Sequence, residues 1–368
     1  LLFFQKKILF LRLILKINHL FFMNKRIFFQ HWAWLCSVAL FLILFSCGLW
    51  CYRIVWAPNF FAEKPVYIYI HEDKDWKKLC TQLVDSAACM HIHSFQLLAD
   101  WMNYSGHLRT GRYRIDPKMN NLEVIRLLRS GHQEAVRLTF QSSRTIEELA
   151  GRISSQLMLD SEDLLQMTND SVWCHSVGFT RQTIAALFIP NTYEIYWNIS
   201  PKGFMARMQK EYNAFWNEER KQKARQIGLT PIEVSTLASI VEEESAMTDE
   251  YPIIAGLYLN RLKAGIPLQA DPTVKFAVGD PSLRRILNKH VETESPYNTY
   301  KHTGLPPGPI RIPSIQSLNA VLNYQKHNYL YMCAKEDFSG RHNFAVSLAE
   351  HNRNANRYRA ALNRNKIY

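Results

Sequence analysis

The distribution of apolar and polar positions divides the chain into segments with different rhythms. Between Arg26 and Arg53 there is no Lys, Arg, Asp or Glu, and residues 32–52 are apolar almost throughout. A bilayer core is crossed by about 20 apolar residues in a helix, so this run predicts one transmembrane helix. Trp32, Trp34, Trp50 and Tyr52 sit near its two ends, as interfacial aromatics do, and Lys25 and Arg26 precede it. The positive-inside rule then predicts a cytoplasmic N-terminus and a large extracytoplasmic remainder. After Pro58 and Pro65, residues 66–70 (Val-Tyr-Ile-Tyr-Ile) read as a strand of β-branched and aromatic residues. Amphipathic stretches at 75–84 and 94–104 predict two short helices, and 111–115 (Gly-Arg-Tyr-Arg-Ile) a second strand. The order is β-α-α-β. A helix with an Asn start and a Gly stop follows at 121–131, then a strand at 136–140 and a helix at 145–157. Nothing repeats internally, and the pattern as a whole is α+β.

Further along, Thr230-Pro231-Ile232-Glu233 is a capping box with Pro at the first helical position, predicting a helix over 230–246. A second apolar helix is predicted over 253–262. Residues 265–274, 295–300 and 303–310 are rich in Pro, Gly and polar residues and predict loops of fixed shape, where binding residues tend to sit.

Composition changes this picture in one respect. The chain has 368 residues, 47% hydrophobic and 21% charged, which suits a folded protein of about two units and excludes a disordered one. The formal net charge of +12 would raise nucleic acid or an acidic polymer as partners. Residues 1–60, however, hold seven Lys or Arg and no Asp or Glu, so 37 basic residues face 32 acidic ones in the rest. That mild excess is no longer an argument for nucleic acid, and no nucleic-acid partner is expected. Two other readings of the apolar run are weaker. A cleaved signal peptide calls for a shorter apolar core and a small-residue cleavage site. Leu44-Phe45-Ser46-Cys47 has the outline of a bacterial lipobox, with bulky Phe45 where a small or short branched residue is preferred. The first Met is Met23, directly before Asn24-Lys25-Arg26, and the expectation is that residues 1–22 are upstream sequence or a cytoplasmic extension. Four of the seven cysteines, Cys80, Cys89, Cys174 and Cys333, fall in the part expected to be exported, where disulfides are allowed. Cys89-Met90-His91-Ile92-His93 invites a metal reading, but a strand or turn with one polar edge is the simpler one, and no metal or cofactor is expected.

The candidate chemistry lies in carboxylates. Pro190 to Trp197 packs two tyrosines, a tryptophan and Glu194 into a short segment, which suits either core packing or a sugar platform. Glu242, Glu243 and Glu244 end the helix over 230–246. At about 100° per residue, Glu243 should point nearly opposite the apolar face, Glu242 lie on its flank, and Glu244 sit closest to the buried side. Negative charge at a helix C-terminus opposes the helix dipole, so stability alone does not explain it. A carboxyl at the edge of an apolar wall has a raised pKa and can hold a proton near neutral pH, which suits general acid work. Gln269, Tyr297, Asn298 and Thr299 are placed in loops from which they can hydrogen-bond sugar hydroxyl and N-acetyl groups; a structural role for these loops is the alternative.

Several long motifs in one order carry a resemblance: Ala-Ser-Ile-Val-Glu-Glu-Glu-Ser (238–245), Ile-Ala-Gly-Leu-Tyr-Leu-Asn-Arg-Leu (254–262) and Pro-Leu-Gln-Ala-Asp-Pro-Thr-Val (267–274). Ser-Pro-Tyr-Asn-Thr-Tyr (295–300), Gly-Leu-Pro-Pro-Gly-Pro-Ile (304–310), His-Asn-Phe-Ala (342–345) and a final His351-Asn352 continue it. The chain resembles the membrane-anchored endolytic murein transglycosylases, the MltG or YceG-like family. The resemblance implies a transmembrane anchor within 23–56, a LysM-like domain over 66–132 and a YceG-like catalytic domain over 135–368. It places the catalytic glutamate on Glu244, in agreement with the face argument. It also matches Asn191 to Glu194 to a family segment and marks Tyr193, Glu194, Ser245, Gln269, Asp271, Thr273, Tyr297, Asn298 and Thr299 as substrate-binding candidates. Where the family pattern is Glu-Lys-Glu-Thr, this chain has Glu-Glu-Glu-Ser; Glu243 adds negative charge beside Glu244, and Ser245 keeps the hydroxyl. The implied reaction is non-hydrolytic cleavage of the MurNAc-β-1,4-GlcNAc bond of new glycan strands at the inner membrane, leaving 1,6-anhydroMurNAc ends. Peptidoglycan synthases are then plausible partners. Two alternatives stay open: a hydrolase of the same polymer with Asp271 or Glu194 as second carboxylate, and a non-catalytic glycan-binding scaffold.

Overall fold

The computed structural model describes residues 15, 31–280, 283 and 286–365. Lys25, Arg26 and the expected start at Met23 lie outside them. The chain divides into two compact units, Leu1–Glu134 and Ala135–Tyr368.

The first unit begins with helix α1 (His31–Val55), apolar and long enough to cross a membrane and unburied along its apolar window. Strands β1 (Val66–Ile70) and β2 (Gly111–Ile115) pair antiparallel, Ile68 opposite Tyr113, with helices α2 (Trp76–Asp85) and α3 (Ile92–Trp101) between them in sequence. The predicted β-α-α-β order is found, with both strands at their predicted bounds. Asp75 starts α2 by accepting hydrogen bonds from the Lys77 and Lys78 amides. Helix α3 begins earlier than expected, because Cys89 bridges to Phe60 and the chain turns into the helix at His91 instead of continuing as a strand. Helix α4 (Asn121–Ser130) is started by a capping box of Asn120 and Glu123 and stopped by Gly131 in the left-handed region (φ 75°). Asn121, expected to cap, is instead fully buried inside the first turn. Its side chain accepts from Asn59 Nδ2 (2.7 Å) and donates to the Ile54 carbonyl (2.8 Å). Ile54 itself packs into the same core as Phe60, Leu83, Phe95 and Ile125. The end of α1 is thus held inside the unit's core.

In the second unit, β3 (Val136–Thr139) pairs antiparallel with β4 (Thr192–Ile195). Between them run α5 (Ile146–Ser154), α6 (Ser161–Asn169) and α7 (Ser171–Ser176). Next come α8 (Pro201–Phe215), α9 (Glu218–Gln226), α10 (Pro231–Glu244), α11 (Tyr251–Lys263), α12 (Asp271–Val278), α13 (Asn288–Val291) and α14 (Ile315–Leu322). An antiparallel pair, β5 (Tyr331–Ala334) and β6 (His342–Ala345), and a last helix α15 (Leu348–Arg364) complete it. The architecture is mixed α/β with one apolar N-terminal helix. Helix α12 corrects the loop expected over 265–274: Pro272 sits in a first turn, where its missing N–H is not needed, and the helix starts at Asp271.

The core of this unit is built around α10, whose eight consecutive residues from Val234 to Val241 are all buried. The expected one-sided apolar face is therefore not the geometry. Ser235, Thr236 and Ser239 can be buried because their hydroxyls return to carbonyls within the helix, at 3.0, 3.0 and 2.7 Å. Helix α11 lies close against the 325–327 segment at Gly256, where a Cβ would stand 2.3 Å from the Gln325 carbonyl oxygen. Only glycine fits that approach. Among the described residues the cysteines are free thiols.

Candidate active site

Helix α10 carries three glutamates to its C-terminus, and each is used differently. Glu244 is the last helical residue; Ser245 already has extended dihedrals (φ −138°, ψ 139°), so the chain leaves the helix there. Glu244 Oε1 accepts a hydrogen bond from Tyr258 Oη on α11. Both lie on a cavity of about 300 Å³ that is also lined by Arg261, Gln269, Asp271, Tyr300, Tyr331, His342 and His351. Burial pushes the Glu244 carboxyl up to about 7; the Tyr258 hydrogen bond pulls it down, and the negative charges of Asp271 and Glu243 push it further up. The Tyr258 phenol is driven well above its ordinary range by the same burial and by Glu244. It stays protonated and donates.

Glu243 does not point away from the core into solvent, as its helical angle suggested. It accepts from Arg311 Nη1 at 2.7 Å, with Arg144 Nε at 3.4 Å. Glu242 accepts from the Ser314 amide (2.7 Å) and the Ser317 hydroxyl (2.8 Å), with Arg311 Nη2 at 3.4 Å. Ser314 is the N-cap of α14, so Glu242 places its negative charge at a helix N-terminus, where it is favoured. Glu243 meets protein and not solvent because α10 is enclosed on all sides.

Of the other candidates, Gln269 and Asp271 reach the cavity. Gln269 Oε1 accepts from Arg261 Nη2 (2.6 Å), and Asp271 Oδ1 accepts from Tyr300 Oη (2.6 Å). Ser245 turns its hydroxyl to the buried Glu250 (3.0 Å). Thr273 and Thr299 bond each other at 2.8 Å under the Gln269 loop, whose Ala270 amide also donates to Thr299 Oγ1 (3.0 Å). Asn298 is fully buried and ties down the Val291 and Thr293 carbonyls. Thr273 and Thr299 thus shape the Gln269 loop from beneath, and Asn298 fixes the neighbouring 291–300 segment. The Tyr297 ring packs on Phe276 with centroids 4.7 Å apart. Tyr193 is buried in strand β4, with its ring against Phe140 and its hydroxyl on the Ile189 carbonyl; Glu194 is exposed on the same strand, paired in register with Arg137. The cavity does not include either.

Sequence reasoning missed Tyr258, Arg261, Tyr300, His342 and Glu250. Tyr258 and Arg261 stand three apart on a mostly apolar helix, which places them on one face, and a buried Arg needs partners. Arg261 finds them in the Pro267 and Leu330 carbonyls and Gln269, clamping the loop to β5. Among the described residues, no group of three or more His, Cys, Asp and Glu is placed to hold a metal ion.

Residues 68–357 match the YceG-like family. The endolytic murein transglycosylase of Bacillus subtilis is 28% identical over 286 residues, 73% of this chain and 78% of that protein. The endolytic murein transglycosylase of Streptococcus pneumoniae (strain D39) is 26% identical over 327 residues, covering 80% of this chain but only 58% of its own length. A crystal structure of a YceG-like protein from Listeria monocytogenes superposes with a TM-score of 0.54 at 25% identity, over 79% of this chain and 99% of that one. The family match spans most of the chain and includes the whole lining of the Glu244 cavity, and this chain belongs to the YceG-like family.

Proposed function

We propose that the chain is an endolytic murein transglycosylase that cleaves the MurNAc-β-1,4-GlcNAc bond with Glu244 as its acid and base. The observation that carries this reading is the carboxyl of Glu244, pushed up to about 7 by burial beside a cavity. Near neutral pH such a group can still hold a proton to donate, and the carboxylate left by that donation is the base for the second half of the reaction. Protonated, it donates to the glycosidic oxygen as the bond to C1 breaks. Ionised, it takes the proton of the MurNAc C6 hydroxyl as that oxygen attacks C1, closing the 1,6-anhydro ring. The nucleophile is internal to the substrate, so no second carboxylate is needed to activate water. Asp271, kept in place by Tyr300, supplies negative charge next to the developing oxocarbenium ion and, with Gln269, hydrogen-bond acceptors for the sugar. Helix α1 serves as a single-pass anchor in the cytoplasmic membrane with the N-terminus inside, and the β-α-α-β unit as a LysM-like glycan-binding domain. Cutting then takes place on new strands close to the bilayer, in reach of peptidoglycan synthases.

The reading is tested with the full chain in detergent micelles acting on purified peptidoglycan, with the products resolved by mass. Anhydro ends are expected. Asp271 shares the cavity with Glu244 and so favours one rival, a hydrolase; reducing ends carrying oxygen-18 from labelled water would establish that rival and exclude the transglycosylase.

Tyr258→Phe gives a sharper test of the electrostatics. The lost hydrogen bond is the one contact that lowers the Glu244 pKa, so in the variant it rises above about 7. The acid form is the one that starts cleavage, and the rate falls as pH rises through that pKa. The falling limb of the pH–rate profile should therefore move to higher pH in Tyr258→Phe. An unmoved or acid-shifted limb would show that another group titrates in it.

A further inference from the structure

The polar cluster behind Glu244 has no part in the reaction as derived above. Glu250 is 4% exposed and its carboxylate takes three donors. Ser245 Oγ lies 3.0 Å from Oε2, the His342 backbone amide 3.0 Å from Oε1, and His342 Nδ1 2.9 Å from Oε2. Because a carboxylate offers only lone pairs to its neighbours, the ring nitrogen facing it is the one that carries the proton. The backbone and ring of one residue are thus both fastened to the same buried carboxylate. In the neutral ring this geometry selects the Nδ1–H tautomer, which leaves Nε2 as an acceptor. His342 lines the cavity that holds Glu244, and among the described residues no group bonds its Nε2.

We propose that His342 is a substrate-orienting residue of this site: its Nε2 accepts a hydrogen bond from a hydroxyl of the sugar bound over Glu244, and Glu250 is the positioning residue that sets the tautomer. The proposal rests on the reading of the cavity as a glycan-cleaving site. It explains why an imidazole stands here instead of a third carboxylate. A sugar hydroxyl needs an acceptor, and the cavity's other strong acceptors, Glu244 and Asp271, are negative when ionised and already bonded to Tyr258 and Tyr300. A further carboxylate facing the cavity would raise the Glu244 pKa again, as Asp271 and Glu243 already do. A neutral ring nitrogen accepts without that effect. Through Ser245, the same Glu250 also fixes the residue that follows Glu244, so the acid and the orienting group share one buried reference point.

The test uses Glu250→Gln. The His342 amide still needs an acceptor, so the carboxamide oxygen takes the Oε1 place and the NH2 faces Nδ1. The ring proton then moves to Nε2, and an acceptor becomes a donor. In the full chain labelled with nitrogen-15 histidine at alkaline pH, the His342 signals, identified by their loss in His342→Ala, should show Nδ1–H in the wild type and Nε2–H in Glu250→Gln. The kcat/KM for anhydro-end formation should fall roughly 10- to 100-fold in Glu250→Gln and about 3- to 10-fold in His342→Ala, since inversion leaves two donors opposed while truncation loses one neutral hydrogen bond. An Nε2–H wild type overturns the proposal, as does full activity in His342→Ala or in a Glu250→Gln protein whose tautomer has switched. If Glu250→Gln fails to fold, the wild-type signal and His342→Ala decide. A wild type with the Nδ1–H signal but no anhydro ends overturns the transglycosylase reading, and with it the sugar partner proposed for Nε2.

Discussion

Glu244→Gln should lower the formation of 1,6-anhydro ends by about 10²- to 10⁴-fold, the usual contribution of a positioned acid-base group. The same substitution should stabilise the fold at alkaline pH. Burial pushes the carboxyl from an ordinary value of 4.5 up to about 7, so the folded state holds this proton more tightly than the unfolded chain does. For a carboxyl raised in this way the stability is full at low pH and is lost as pH rises from the unfolded pKa through the folded one. Glutamine cannot ionise and escapes the loss, and its Oε1 can still accept from Tyr258. The variant should therefore match the wild type near pH 4 and exceed it by up to about 3 kcal/mol above pH 8. Denaturant unfolding at the two pH values checks this. Equal pH dependence of the two proteins would show that Glu244 has no raised pKa and could not serve as an acid near neutrality.

The second large effect is expected at Arg311, which the reaction does not use. Its guanidinium bonds Glu243 at 2.7 Å, stands 3.4 Å from Glu242, and donates through Nε to Ser142 at 3.0 Å. The side chains of Glu242 and Glu243 are only 9% and 18% exposed. Arg311→Ala leaves Glu242 without a cation and Glu243 with Arg144 alone, whose side chain is 63% exposed. Breaking such a buried pair costs about 3–5 kcal/mol, because a desolvated charge loses its partner. Against a typical total of about 5–15 kcal/mol, that is enough to unfold much of the protein at elevated temperature. Arg311→Lys should recover only part of the loss, since one ammonium cannot reach both carboxylates in the fork geometry. Denaturant titration of the three proteins measures it; a loss below about 1 kcal/mol for Arg311→Ala would place the cluster among ordinary surface pairs.

What could be read in advance follows the range of the forces involved. Strands β1 and β2, the Thr230–Glu233 capping box and the Gly131 stop are set by residues within a few positions of one another, and they stand where the local pattern put them. Helix α12 was hidden because Asp271-Pro272 reads equally as a turn and as a helix start, and only the packed Thr273–Thr299 pair beneath it decides. The position of Glu244 at the buried end of α10 was legible, but for an incomplete reason. An amphipathic face was inferred where the helix is enclosed on every side, so the outlook of Glu243 came out wrong. Tyr258, Tyr300 and His342 each meet their carboxylate across 14 to 92 positions of sequence. No periodicity within a single element can announce a contact of that kind.

The fastening of Ile54 into the first unit's core has a mechanical side. Asn121 grips the Ile54 carbonyl while the Ile54 side chain is packed among core residues, so α1 passes into the β-α-α-β unit without a slack hinge. With that junction intact, a turn or tilt of α1 is expected to be passed to that unit and not absorbed between them. Anything that orients the helix therefore also aims the unit it carries.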